Sequence, residues 1–526
     1  MDNEKKYVLS GETIVVDGHT LHRIIALLDF SFVKKGDEGG FIESENNLSH
    51  RGDCWVDGDA MVYENAKVYG NAMVCENAKV YENAEVYGDS WVCGDSWIYG
   101  YAKVFGKVKV YENAIIYGDA VVYENAKVSG DTEVHGNAKV FGNAIVYENA
   151  KVYEDADVCG DAMVYGDAWV YGDSWIYGNA KVYGNAKVYD YAGIYENAKV
   201  YGDTEVHGNA KVFGKARVFG NAKVHGNAEV FGDAMVSEYA KVYDDADVYE
   251  NAKVCGDSWI YGNAKVFGNV KVYENAIVYS NAVVYENAKV YGNAKVYGDT
   301  EIHGDAKVYG DTEVHGNAKV FGDSCIYGNA KVFGNAKAYG YAKVYSDAMV
   351  YENAKVYGKA RVFSSAKAYG YAKVYGDAMV YENAEVYGDA MVCGEVIIHG
   401  NAEVHGNAEV HGNAEVCGNA EVHGYADVRD YAEVFDDAKV FGKANVCGKA
   451  TICGNAEISE LCDYIVFKNW WSSGRHFTWT RSNDMWKVGC FYGSGEELVK
   501  KAYKDSEDCG REYERIVKYV ETIKDI

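Results

Sequence analysis

Val182-Tyr183-Gly184-Asn185-Ala186-Lys187-Val188 is one period of a six-residue frame that decides the fold of this chain. From Val56 to Ile458 every sixth residue is Val or Ile, with Ala338 and Ala368 the two exceptions. No insertion, deletion or proline interrupts the spacing. A strand alternates its side chains, so Ala-Lys-Val-Tyr places Ala and Val on one face and Lys and Tyr on the other. Gly-Asn and Gly-Asp are turn pairs, because Gly, Asn and Asp tolerate a positive φ that other L-residues resist. Each hexad is therefore a short strand and a corner. Val suits the strand, since a β-branched side chain packs well on a pleated surface. Four places after each Val stands a small residue, as at Ala60, Ser90, Val108 and Thr132, which points inward beside the aliphatic column.

A period of six with a buried aliphatic and a buried small residue resembles the hexapeptide repeat of left-handed parallel β-helices. The resemblance covers about three quarters of the chain and implies an all-β solenoid, with three hexads closing each coil of about 18 residues. Five-residue repeats, nine-residue calcium-binding repeats and right-handed solenoids with irregular coils do not fit this frame. About 22 coils at a strand spacing of about 4.8 Å would make a rod on the order of 105 Å long. Each coil would bury its Val only against its neighbours, so stability is expected to sum over repeats and nearest-neighbour contacts. The exposed terminal coils would need caps.

A solenoid grows without thickening, so 526 residues need not mean several globular domains. The net charge of −27 argues against nucleic acid and membrane surfaces as partners. The polar, charged stretch Met1–Ser10 and the shortness of the apolar runs give no sign of a signal peptide or membrane span. The 13 cysteines are an odd number, and Cys75, Cys93, Cys159, Cys255, Cys393 and Cys417 occupy the outward slot usually held by Tyr. That usage predicts a reduced, cytoplasmic setting. Cys75 and Cys93 should stack on adjacent coils, where a disulfide is geometrically open.

Three segments follow: an N-terminal β-hairpin cap over 1–55, the solenoid over 56–461, and a C-terminal α+β module over 462–526. In the first, Thr13-Ile-Val-Val, the turn Asp17-Gly18 and His22-Arg-Ile-Ile-Ala-Leu-Leu read as a hairpin. Gly39-Gly-Phe-Ile, Asn47-Leu-Ser and Gly52-Asp-Cys-Trp-Val56 resemble the opening segment of bacterial transferase-like proteins of the hexapeptide-repeat class, whose own function is uncharacterised. In the last segment three strand-like runs begin at Tyr464, His476 and Trp486. Two helices follow, the first capped by Ser494 with Glu497, the second carrying the apolar stripe Tyr513, Ile516, Val517 and Val520.

Hexapeptide-repeat acyltransferases, which the solenoid resembles, use a catalytic His in a groove between subunits of a trimer and loops extruded from the coils. The unbroken frame predicts no such loop and no pocket of that kind. His135, His207, His225, His303, His315, His399, His405, His411 and His423 all occupy the outward Tyr slot and read as substitutions in a surface ladder. His207 with His225, and His405 with His423, should stack as pairs, but the spacing supplies no third metal ligand. No residue is assigned a catalytic, cofactor-binding or metal role. The Tyr columns read first as cross-strand stabilisers and second as a surface for sugar rings or a protein partner. Few Thr residues stand in the frame, which argues against an ice-binding face.

The block Lys337–Tyr345 recurs at Lys367–Tyr375, five hexads on and hence on another face, whereas Gly130–His135 recurs whole coils away at Gly202–His207 and Gly310–His315. The hexad is thus the copied unit. In the C-terminal module Trp470, Trp471, Trp479 and Trp486 lie among Lys468, Arg475, Arg481 and Lys487, a mixture that could stack bases or grip a peptide. Acidic and basic residues balance there, so the module lacks the electrostatic footprint of a nucleic-acid binder, and core aromatics are the simpler reading. The sequence therefore predicts a non-catalytic scaffold that presents a C-terminal interaction module to an unidentified protein or glycan partner, or that assembles as a homo-oligomer. An acyltransferase-like enzyme and a binding scaffold using the Tyr ladders are the alternatives.

Overall fold

The structure, a computed structural model, describes residues 5–525, so the first four residues of the N-terminal segment and Ile526 lie outside the described residues. The chain forms two compact units, Met1–Asn269 and Val270–Ile526. Both are parallel β-solenoids.

The first unit opens with the antiparallel hairpin β1 (Tyr7–Val16) and β2 (His19–Ala26). Asp17 (φ 52°) and Gly18 (φ 91°) both take positive φ at its tip, as a two-residue hairpin turn demands. β3 (Glu38–Ile42) pairs antiparallel with β2 on one edge and parallel with Met61–Val62 on the other, and so converts the hairpin into a coil. The parallel pairing begins here, ahead of the strict frame, and Leu48 already bridges to Val68. Thereafter short strands recur every six residues and pair in register with the strand 18 residues on, as Trp91–Val92 does with Lys109–Val110. Val182, Ala186 and Val188 are fully buried, as are the small polar residues at the same inward slot. Their hydroxyls find backbone partners where geometry allows: Ser90 Oγ donates to the Tyr87 carbonyl (2.9 Å) and Ser96 Oγ to that of Cys93 (2.7 Å).

The backbone hydrogen bonds between coils are biased in direction. Three alternate residues of one hexad donate to the coil that follows: Met73 to the Ser90 carbonyl (2.8 Å), Cys75 to Val92 (2.8 Å) and Asn77 to Gly94 (3.1 Å). A parallel ladder also needs donation the other way, and the Val68 N–H supplies it by bonding back to the Asn47 carbonyl (2.8 Å). Forward donation from the corner and both strand flanks leaves a stack with carbonyls predominating at its N-terminal end and N–H groups at its C-terminal end. The N-terminal cap supplies donors. Buried Lys6 sends its ammonium to the carbonyls of Cys54 (2.6 Å) and Gly52 (3.2 Å), Tyr7 donates its hydroxyl to the Leu48 carbonyl (2.6 Å), and Arg23 reaches the Gly39 carbonyl (3.0 Å).

The corners differ from the sequence expectation in one respect. Positive φ falls on the residue after the outward aromatic, and where that residue is not Gly it is often Glu, as at Glu64 (φ 57°) and Glu154 (φ 60°). A non-glycine residue there costs about 1–2 kcal/mol. The side chain offsets part of this by bridging coils: Glu154 Oε2 accepts from the Gly172 N–H at 2.9 Å. Gly is used because the corners pass close together, and a Cβ on Gly70 would sit 2.9 Å from the Gly88 nitrogen. The following Asn and Asp residues form their own ladder, as where Asn71 Nδ2 donates to Asp89 Oδ1 (2.8 Å).

The second unit is built of the same coils as far as Glu457–Ile458, with Val290 paired between Val272 and Val308. Ala338 and Ala368 are as buried as the Val residues they replace. A four-stranded antiparallel sheet follows: Tyr464–Lys468, His476–Thr480, Met485–Val488 and Phe491–Gly493. The third predicted run thus divides in two, at a turn where Gly489 takes φ 56°. Helix α1 (Gly495–Asp505) has both arms of the Ser494–Glu497 capping box, and α2 (Glu507–Ile523) buries Tyr513, Val517 and Val520. These three pack with Phe477, Trp479, Trp486, Leu498 and Ala502 in one core. The module supplies acceptors to the last coil: Tyr464 OH takes the Cys447 N–H (3.2 Å), Thr478 Oγ1 that of Thr451 (2.8 Å) and Ser482 Oγ that of Glu457 (2.6 Å). No helix among the described residues is long and apolar enough to cross a membrane.

Candidate functional site

The outward aromatics stack into ladders. Tyr147, Tyr165, Tyr183, Tyr201 and Phe219 follow one another with ring centroids 4.7–5.0 Å apart and ring planes nearly parallel. The ladder exists because parallel register places identical slots one coil apart. Its consequence for binding is restrictive. Both faces of an interior ring are covered by its neighbours, so a ligand meets ring edges, whereas a sugar needs an open face.

An open face occurs at Trp175, which is 59% exposed. It stands in the slot usually held by Lys or Glu, paired below with Asp157 and above with Gly193. Three other solenoid tryptophans, Trp97, Trp169 and Trp259, have a lysine over the ring, as Trp259 has Lys241 at 4.4 Å and Trp97 has Lys79 at 4.9 Å. Gly193, the sole glycine in its slot, leaves a hollow of about 470 Å³ lined by Trp175, Tyr177, Tyr191 and Tyr195, with Asp173 and Lys211 at its margin. Tyr191 occupies a corner slot and is 66% exposed. A second hollow, about 260 Å³, lies on the Asp157 side of the same indole. Asp157 Oδ1 is buried there without a hydrogen-bond partner among the described residues, and burial pushes the carboxyl pKa up. Trp175 therefore separates two hollows, one mainly aromatic and one with an unsatisfied acceptor. The sequence reading did not single out this site. The signal was present in vertical order, Asp157, Trp175 and Gly193, and appears only when the chain is written one coil per line.

The histidines lie in the ladders as expected. His207 stacks on His225, and His405 on His423, each pair at 5.0 Å. Burial lowers the pKa of His207, His225 and His405. Among the described residues neither pair belongs to a three-ligand cluster. One cluster among the described residues does have metal-ligand composition: His399, Glu415 and Cys417, with one ligand atom from each within 4.8 Å of the others. Burial, followed by Glu415, Asp436, Glu433 and Glu382, pushes the Cys417 thiol up to about 11. Cys75 and Cys93 stack on adjacent coils and are joined as a disulfide.

At the N-terminal cap a polar hollow of about 1060 Å³ includes His19, Glu43 and Glu64. His19 hydrogen-bonds Glu43 (3.0 Å) and lies 3.3 Å from Glu64; the bond to Glu43 raises its pKa. It ties the hairpin to the first coils. In the C-terminal module Trp479 and Trp486 are core residues, with Trp479 Nε1 donating to Asp484 (2.8 Å), and Trp471 packs against that core. Trp470 is 74% exposed and packs edge-on to Trp471. Lys487 lies over the Phe435 ring and Arg481 donates to the Cys462 sulfur.

Residues 156–172 match the family described as the YdcK beta solenoid repeat, and over that stretch the chain is similar to it. No curated protein matches the chain.

Proposed function

We propose that this chain is a non-catalytic β-solenoid scaffold of the left-handed, hexapeptide-repeat kind, working in the cytoplasm, whose C-terminal module presents a protein-binding surface around Trp470. The observation that carries this reading is the use made of each hexad: one aliphatic and one small residue fill the interior, and a short corner leads to the next strand. Such coils offer rigid, repetitive faces suited to presenting a binding surface. The test is capture of a partner by the full chain and by Trp470→Ser, an exposed position whose change should leave the fold intact. Equal capture by both would exclude the Trp470 surface.

A second reading is favoured by one specific site. Trp175, with an uncovered indole face, aromatic neighbours and the unpartnered Asp157 carboxyl, has the composition that holds a sugar ring, by stacking on one side and hydrogen bonding at the rim. Binding of soluble glycans to the full chain that is lost in Trp175→Ala and in Gly193→Lys, which refills the hollow, would support it. Retained binding in both would reject it. The acyltransferase alternative predicts acetyl-CoA-dependent transfer that disappears in His405→Ala or His423→Ala; the scaffold reading predicts no transfer in any variant.

A further inference from the structure

We propose that His399, Glu415 and Cys417 form a binding site for a divalent cation of borderline softness, for which zinc is the best chemical match. The three residues come from adjacent coils whose register is fixed by the backbone. Ile397–Ile398 pairs with Glu415–Val416, so the outward residues following these strands, His399 and Cys417, are vertical neighbours. Glu415 is brought beside the imidazole by the same pairing: His399 Nε2 lies 3.0 Å from Glu415 Oε1. Nitrogen, thiol sulfur and carboxylate oxygen lie within 4.8 Å of one another. Tetrahedral zinc with bonds of about 2.0–2.3 Å brings its ligands to about 3.5 Å apart. Binding would draw the ligand atoms together by up to about 1.3 Å.

The other imidazole nitrogen is also provided for. Glu382 Oε2 lies 3.7 Å from His399 Nδ1 and is itself anchored by the Gly400 N–H at 2.8 Å. At 3.7 Å the carboxylate is short of a hydrogen bond to the ring, and drawing it in on binding would fix which nitrogen faces the metal. The ladder is also interrupted at the right point. Tyr381 covers one face of His399 at 4.9 Å, while the slot above holds Cys417 where a ring would otherwise stack. No other outward histidine among the described residues has this set: His405 meets His423, and His411 meets Asp427 at 2.9 Å without a thiol in the cluster. Binding would replace the thiol proton by the metal, Cys–SH plus M²⁺ giving Cys–S–M⁺ plus H⁺, with water completing the coordination.

The experiment is a cobalt titration of the full chain, read by the thiolate-to-cobalt charge-transfer absorption, followed by displacement with zinc. One site per chain is expected, with the band lost in Cys417→Ser. Glu382→Gln, which alters only the carboxylate behind the ring, should weaken affinity about 10- to 100-fold while keeping the band. His399→Tyr restores the ladder residue type and is a second variant that should fold and fail to bind. Circular dichroism and melting of each variant establish the fold. Absence of the band in the unmodified chain would overturn the proposal. So would persistence of the band in folded Cys417→Ser or His399→Tyr, which would place binding on another thiol such as exposed Cys462 or Cys490.

Discussion

Replacing Val290 by Asp tests the assignment of inside and outside most directly. Val290 is fully buried between Val272 and Val308, and no cation faces it from the aliphatic column. Burial raises a carboxyl pKa by about 3–5 units, so holding the folded state at pH 7 costs about 4 kcal/mol relative to an unfolded pKa near 3.9. Loss of the Val methyl groups and burial of a polar group add about 2 kcal/mol. The sign follows from the direction of the shift. The folded carboxyl titrates above the unfolded one, so the ionisation penalty is absent below about pH 4 and grows as pH rises. Val290→Asn, which is similar in shape but cannot ionise, should lose about 2–3 kcal/mol at every pH. Tyr291→Ser removes a half-buried ring stacked between Tyr273 (4.7 Å) and Tyr309 (4.8 Å), worth about 1–2 kcal/mol in all. Thermal unfolding at about pH 4.5 and 7.5 should show the Asp and Asn variants converging in acid and separating at neutral pH. Hydrogen exchange should localise the damage to the coils on either side. Equal damage from Val290→Asp and Tyr291→Ser at neutral pH would refute the reasoning.

Acid should weaken the first unit through its ladder histidines: burial and His207 hold His225 below its usual pKa, so the unfolded chain binds the proton first and stability falls as pH drops below about 6.5. His225→Tyr should reduce the loss of melting temperature between neutral pH and pH 5.5, and an unchanged loss would remove His225 from the account. Glu286→Ala should cost about 1 kcal/mol, because alanine keeps the strain of φ 63° and loses the bond from the Gly304 N–H (2.7 Å), whereas Glu286→Gly should be near neutral in the same denaturant melts. A chain restricted to 56–461 should polymerise into fibres visible by electron microscopy, with light scattering that rises with concentration. If it stays monodisperse, covering the terminal coils is not what the end segments do.

The solenoid was legible because its defining pattern is local. The alternation in Ala186-Lys187-Val188 and the turn pair Gly184-Asn185 are both readable within one hexad, and the register then follows from their repetition. The helices of the C-terminal module were legible for the same reason, through Ser494, Glu497 and the stripe from Tyr513 to Val520. What escaped depends on vertical neighbours. Glu154 at a positive φ is intelligible only once the Gly172 N–H is seen to meet its carboxylate. Trp175 is ordinary in its own hexad and becomes distinctive between Asp157 and Gly193. His399 reads as a ladder variant until Cys417 and Glu415 are placed one coil on. The split of the third module strand at Gly489 turns on a backbone angle that residue identity alone does not impose.

The directional bias of the inter-coil hydrogen bonds makes the two faces of any stack of these coils chemically unlike. One is richer in acceptors, and Lys6, Tyr7 and Arg23 meet it with donors; the other is richer in donors, and Tyr464, Thr478 and Ser482 meet it with acceptors. Two like faces satisfy each other poorly, so coil-to-coil association with two-fold symmetry is disfavoured. A heterologous contact matches donor to acceptor throughout, and a heterologous contact that does not close propagates. Filaments grown from uncapped coils would therefore be polar, with distinguishable growing ends. A peptide carrying residues 1–55 would poison growth at the acceptor-rich end alone, and one carrying 462–526 at the donor-rich end alone, so that half-blocked filaments would elongate in a single, known direction.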